Sequence, residues 1–225
     1  EPATNSGSGG GVCVEYSDLT TLNHVILTNN TGVSGGGIFV DHNSNVILTN
    51  CTITQNTADD QGSGITMYNS SATFNNTILW GNNTTNTQQM FINNSSLTIT
   101  YSDIEGSWEG EGNIDADPLF VDPNNGDFSL QTSSACIDAG DPDTDNDGTD
   151  YINDPDDQDP DGTVFDIGAF YHCQFDNDGD GLGGPTDVGW VCSADANVKD
   201  GLIVNNETDF DDDCACTTVQ GNDYV

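Results

Sequence analysis

Leu22-Asn23-His24-Val25-Ile26-Leu27-Thr28-Asn29-Asn30 returns as Leu48-Thr49-Asn50-Cys51-Thr52-Ile53-Thr54-Gln55-Asn56. It returns again as Phe74-Asn75-Asn76-Thr77-Ile78-Leu79-Trp80-Gly81-Asn82, and in looser form as Ile99-Thr100-Tyr101-Ser102-Asp103-Ile104-Glu105-Gly106. Leu27, Ile53, Leu79 and Ile104 fall in one column, at steps of 26, 26 and 25 residues. Leu22, Leu48, Phe74 and Ile99 form a second column with the same steps. Gly11-Val12, Gly37-Ile38 and Gly64-Ile65 form a third. A period of this length marks stacked structural units.

The units are not helical, because none carries apolar residues at i, i+3, i+4 and i+7 over a dozen positions. Each holds short alternating runs instead, such as Gly37-Ile38-Phe39-Val40 and Val46-Ile47-Leu48-Thr49. Val, Ile, Thr and Phe suit a pleated surface with one face buried. Gly, Asn, Asp and Ser clusters interrupt the runs and turn the chain at low cost, since they tolerate positive φ. Three short strands and their turns make one coil, and coils stacked about 4.8 Å apart pair as parallel strands. The expected fold is therefore all-β: a right-handed parallel β-helix, or solenoid. The asparagines near 30, 56 and 82 are expected to form a ladder at one turn.

Composition narrows the function. The 225 residues carry a net charge of −37, with 38 acidic residues against a single Lys or Arg, Lys199. Phosphate contacts need Lys or Arg, so nucleic acid is excluded as a partner, and an anionic membrane surface with it. No stretch approaches the roughly 18 apolar residues of a membrane span. Glu occurs only at 1, 15, 105, 109, 111 and 207. The remaining acids are Asp, the residue of turns and calcium loops, and most lie after residue 114. Glu1 begins no signal peptide and the chain enters a coil almost at once, so a processed mature chain or a piece of a longer one is expected.

Two stretches have the spacing of a calcium loop. Asp143-x-Asp145-x-Asp147-Gly148 has Thr149 at the seventh position and Asp154 at the twelfth. Asp176-x-Asp178-x-Asp180-Gly181 has Leu182 at the seventh and Asp187 at the twelfth. Alternate carboxylates point inward, Gly permits the sharp turn, the seventh residue offers its carbonyl and the twelfth closes the shell. Two carboxylates about 4 Å apart repel by roughly 4 kcal/mol at an effective dielectric near 20, which argues for a cation in an ordered loop. Neither loop is flanked by helical periodicity, so paired EF-hands are not expected. Asp156, Asp157, Asp159 and Asp161 continue the first loop, as part of a second ion site or as a frayed run.

Two resemblances sharpen this reading. The Gly-Gly-Gly-Ile and Asn-x-Thr-Ile phrases, with Gly112-Asn113-Ile114-Asp115-Ala116-Asp117-Pro118-Leu119-Phe120-Val121-Asp122-Pro123, resemble the pectin-lyase-like β-helix repeats of bacterial secreted and surface proteins. So do Ala135-Cys136-Ile137-Asp138-Ala139-Gly140-Asp141 and Asp166-Ile167-Gly168-Ala169-Phe170-Tyr171, phrases that in such proteins mark the last coils and the close of the helix. The stretch from Phe175 through Asp213 resembles thrombospondin-type-3-like calcium repeats, which implies that Asp211 and Asp213 are ligands as well. Phe210 stands where those repeats carry a Cys, so Cys173, Cys192, Cys214 and Cys216 keep all three possible pairings. Cys13, Cys51 and Cys136 are read as buried small hydrophobes.

The expected organisation is a β-helix over 1–172, with an Asp-rich loop at 141–161, and a small irregular calcium-binding module over 173–225. The resemblance to β-helix lyases and polygalacturonases raises an enzyme alternative. Lyases of that kind use a basic residue, usually Arg, and none is present. Hydrolysis of a neutral glycan needs only two carboxylates, for which Asp59 or Asp60 with Asp41 is the available set, His42 lying nearby in sequence. Trp80, Trp108 and Trp190 are too scattered to form a sugar-stacking stripe. The expected function is therefore non-catalytic: an extracellular or cell-surface structural or adhesive protein, such as a rod, matrix element or fibre subunit, stabilised by calcium. Its expected partners are Ca2+, copies of itself stacked end to end or side by side, and surface glycans. The alternative is a polysaccharide-active β-helix enzyme or a glycan-binding module.

Overall fold

The computed structural model describes residues 9–82, 88–160 and 162–172. The first pass of the chain makes β1 (Val12–Glu15), β2 (Thr20–Asn23), β3 (Ile26–Thr28) and β4 (Thr31–Ser34). The second makes β5 (Ile38–Asp41), β6 (Asn45–Thr49), β7 (Thr52–Thr54) and β8 (Thr57–Gln61). Then come β9 (Ile65–Tyr68), β10 (Ser71–Asn75) and β11 (Ile78–Trp80), followed by β12 (Met90–Asn93), β13 (Ser96–Thr100) and β14 (Asp103–Ile104). Like strands stack into three four-stranded sheets, β1-β5-β9-β12, β2-β6-β10-β13 and β3-β7-β11-β14, while β4 pairs with β8. All these pairings are parallel.

The registers follow the sequence columns. Leu27 pairs with Ile53, Ile53 with Leu79 and Leu79 with Ile104. Leu22, Leu48, Phe74 and Ile99 pair in the same way, as do Val12, Ile38 and Ile65. Stacking apolar on apolar side chains from coil to coil packs a thin, continuous core. Ile38, Leu48, Ile53, Ile65, Phe74, Leu79 and Ile104 are fully buried in it. Close approach requires glycine in the third column and just before it: a Cβ on Gly37 would stand 2.6 Å from the Gly64 carbonyl oxygen, and one on Gly36 2.4 Å from that of Thr57 and 2.5 Å from that of Ser63.

The corners are built from left-handed residues, and asparagine supplies many of them. His24, Asn50, Asn76 and Tyr101 hold one corner at φ between 46 and 52 degrees. Asn56 Nδ2 donates to Asn82 Oδ1 at 2.9 Å and to the Leu27 carbonyl at 2.7 Å. Asn56 Oδ1 accepts from the Asn30 side chain at 2.9 Å and from its N–H at 3.0 Å. This is the ladder expected at residues 30, 56 and 82. It satisfies buried backbone groups that a turn would otherwise leave bare. A second ladder runs through serine hydroxyls: the N–H of Ser17 donates to Ser44, that of Ser44 to Ser70, and that of Ser70 to Ser95.

Among the described residues, the last parallel pairing in chain order is the bridge between Asp103 and Ile114. Among the described residues, those of 9–118 with 167–169 form one compact unit, and those of 119–166 with 170–172 form another. In the first, Gly168 N–H donates to the Asn76 carbonyl and Ala169 N–H to Thr52 Oγ1. The second unit opens with an antiparallel hairpin, β15 (Phe120–Asp122) and β16 (Asp127–Leu130), turned by Pro123–Asn125 and Gly126 at φ 89. Phe120 and Phe128 meet edge to face across it, at 5.4 Å between centroids.

Of the cysteines read as buried, Cys51 and Cys136 are, but Cys13 is exposed, because the alternation of β1 turns it away from the core while Val14 points in. Cys13 and Cys51 are free thiols. Burial pushes the Cys51 thiol up to about 11, so it packs as an unreactive apolar group. Among the described residues no helix is long and apolar enough to cross a membrane.

Candidate cation site

The first calcium-type loop lies in the second unit, and its own carboxylates fold it. Asp143 Oδ2 accepts the Gly148 N–H at 3.1 Å, Asp145 Oδ1 that of Asp147 at 2.9 Å, and Asp147 Oδ1 that of Thr149 at 2.7 Å. Asn146 and Gly148 take the left-handed conformation, at φ 60 and 84, that closes the turn. The result gathers one oxygen each from Asp143, Asp145 and Asp147 within 4.8 Å of one another. The Thr149 hydroxyl and N–H hold the Asp147 carboxyl below the usual carboxylate range, so it is a ready anion. An all-oxygen, all-anionic donor set suits a hard divalent cation such as Ca2+.

Asp154, expected at the twelfth position, is not gathered with these three. Pro155 follows it and starts a 3-10 turn, Pro155–Asp157, which Asp154 caps by accepting the Asp156 N–H. Contact with the Asp156 carboxyl raises the Asp154 carboxyl to about 6. The loop is thereby diverted before it can close in EF-hand fashion.

The turn that diverts Asp154 delivers Asp157, which spacing alone did not single out as a ligand. Asp157 is 1% exposed. Its Oδ1 accepts the Thr144 N–H at 2.7 Å and the Thr144 hydroxyl at 2.5 Å, tying it to the residue between Asp143 and Asp145. Its Oδ2 is buried without a hydrogen-bond partner, and so is Oδ1 of Asp143. A buried carboxylate without a countercharge costs on the order of several kcal/mol. No Lys or Arg lies among the described residues to supply one. The signal in sequence was the Asp run after Pro155, whose burial no periodicity foretold.

The other expected ligands, Asp176, Asp178, Asp180, Leu182, Asp187, Asp211 and Asp213, lie outside the described residues, with Cys173, Cys192, Cys214 and Cys216. The carboxylates weighed for hydrolysis divide. Asp59 and Asp60 are exposed on β8 and join no cluster of three ligand-type residues among the described ones. Asp41 instead meets Glu15 and His42: His42 Nδ1 lies 3.4 Å from Asp41 Oδ2 and 3.8 Å from Glu15 Oε1.

A family model described as a right handed beta helix region matches residues 3–134. No curated protein matches the chain, and no solved structure does. The match covers more than half of the chain, which therefore belongs to the right-handed β-helix family.

Proposed function

We propose that this member of the right-handed β-helix family is a non-catalytic structural or adhesive element of an extracellular or cell surface, ordered by calcium. The observation that carries the reading is the buried, unpartnered oxygen of Asp157, a side chain hydrogen-bonded to Thr144 within the loop whose three carboxylates converge, in a chain of net charge −37. A divalent cation relieves that charge and links the 143–149 loop to the Asp157 turn through Thr144. The stacked coils offer a stiff scaffold whose corners are cross-bonded by side-chain ladders, the property a rod, matrix element or fibre subunit needs. Further copies of the chain and surface glycans are the partners that fit such a role. By resemblance, the Asp-rich C-terminal stretch at 173–225 adds further calcium sites.

Two assays on the intact chain test this. Calorimetric titration of the calcium-stripped protein with calcium should give saturable binding. Incubation with soluble polysaccharides should release no reducing ends. Absence of calcium binding, or steady release of reducing ends, would contradict the reading.

A further inference from the structure

We infer that the corner between the β1-β5-β9-β12 sheet and the β2-β6-β10-β13 sheet is a binding groove for an uncharged, hydroxyl-rich polysaccharide chain. The inference rests on the adhesive reading above and supplies its partner.

An open, shallow depression of about 1020 Å³ runs along this corner, crossing three successive coils. That volume is ample for several ligand rings. Each coil presents the same pair to it, Asn43-Ser44, Asn69-Ser70 and Asn94-Ser95. The serines form a fixed floor. Ser44 donates to the Asp41 carbonyl at 2.6 Å and Ser95 to the Asn93 carbonyl at 2.9 Å, while Ser70 and Ser95 accept N–H groups from the coil before. The asparagines are exposed and held left-handed, at φ 58, 44 and 47. Asn94 Nδ2 donates to Asn69 Oδ1 at 2.7 Å, which orients the Asn69 amide. Among the described residues, the Asn69 Nδ2 group and the Asn43 amide have no protein partner. The groove thus repeats one amide rung per coil, about every 4.8 Å. A periodic row of paired donors and acceptors complements a polymer with periodic hydroxyls.

The end of the groove adds an aromatic platform. His42 lines it, and Tyr16 stacks on His42 at 4.2 Å between centroids and 29° between planes. Tyr16 is 76% exposed. Phe39, Tyr68 and Phe91 follow one another on the neighbouring strands, with centroids 6.0 and 5.6 Å apart, but they do not line the groove and Phe39 is buried, so Tyr16 is the ring that the platform offers. An exposed ring offers a large, rigid, amphipathic face, which suits the C–H face of a sugar.

Charge selects among ligands. Glu15 and Asp41 stand at the same end as the platform, with no Lys or Arg among the described residues. A polyuronate or other polyanion is repelled. An apolar ligand is disfavoured, since every lining residue is of a polar type. A neutral polysaccharide meets both requirements.

The test is affinity electrophoresis of the intact chain through gels containing galactomannan, xyloglucan, mixed-linkage β-glucan, dextran or polygalacturonate. Every gel is run with EDTA, so that failure of calcium binding is read separately by titration. The comparison variants are Tyr16→Gly and Asn69→Gly. Both positions have positive φ, so glycine removes the side chain without straining the turn. At least one neutral polymer should retard the wild type, polygalacturonate should not, and each variant should bind about tenfold more weakly. Unretarded migration in every neutral gel, or variants retarded like the wild type, would overturn the inference.

Discussion

Asp157 accepts two hydrogen bonds from one residue, Thr144, through the same oxygen, and its second oxygen is buried with no donor. Thr144 lies between two of the three carboxylates that converge in the loop. One side chain therefore anchors the acidic loop and brings an uncompensated charge to it.

Asp157→Asn separates these two roles, because the amide keeps a carbonyl oxygen for Thr144 and loses the charge. In calcium the variant should lose about 3 kcal/mol relative to the wild type, the scale of a ligand present at roughly a hundred times its Kd. In EDTA the order should reverse or vanish, because the wild type alone carries the buried charge. Urea unfolding in the two buffers measures both differences. Asp154→Asn should leave the calcium effect nearly intact, since Asp154 caps the following turn.

Asn56 sits at the centre of the ladder, with its amide bonded to the coils on both sides. Asn56→Ala should cost about 3 kcal/mol, because several buried backbone groups lose partners that water cannot replace. Asn30→Ala, at a half-buried rung, should cost about 1 kcal/mol. Equilibrium denaturation that ranks the two equally would show that the ladder does not carry the corner.

His24 sets an acid limit. Burial lowers its pKa from 6.5. The folded state therefore binds fewer protons than the unfolded state, so stability is full above the unfolded pKa and is lost as pH falls through and below 6.5. Asn50, the residue below it in the stack, lies 3.3 Å away through Nδ2. His24→Asn extends the asparagine corner and keeps the left-handed turn. It should remove this part of the acid sensitivity, read as urea midpoints that converge with the wild type at alkaline pH and exceed it at acid pH.

Gly36→Ala should destabilise by about 3 kcal/mol, near the upper end for overpacking, because the new methyl meets carbonyl oxygens of the next coil rather than movable side chains. A loss in thermal melting temperature comparable to that of a surface substitution would show that the coils can separate there.

The coils were legible because each inward position repeats at a constant step. Leu27, Ile53, Leu79 and Ile104 can only stack in register if the strands run parallel, and they do. The asparagine ladder was legible for the same reason. The acidic loop was half legible. Asp143, Asp145 and Asp147 converge because alternate residues of a tight turn share a side, a local rule. Closure of the shell is not local. Pro155 redirects the chain at Asp154, and burial of Asp157 depends on the packing of the second unit, which carries no repeat to read. The aromatic run escaped for a geometric reason. Phe39, Thr66 and Phe91 are the residues in register, and Tyr68 joins the two phenylalanines from two residues further along its strand.

The central claim is that calcium orders the acidic part of the chain. The direct measurement is a thermal melt of the intact protein in EDTA and in saturating calcium, with bound ions counted by native mass spectrometry. The account predicts a higher Tm in calcium, with at least one bound ion that Asp157→Asn fails to retain. An unchanged Tm with no ion bound, or an ion count that Asp157→Asn leaves untouched, would contradict it.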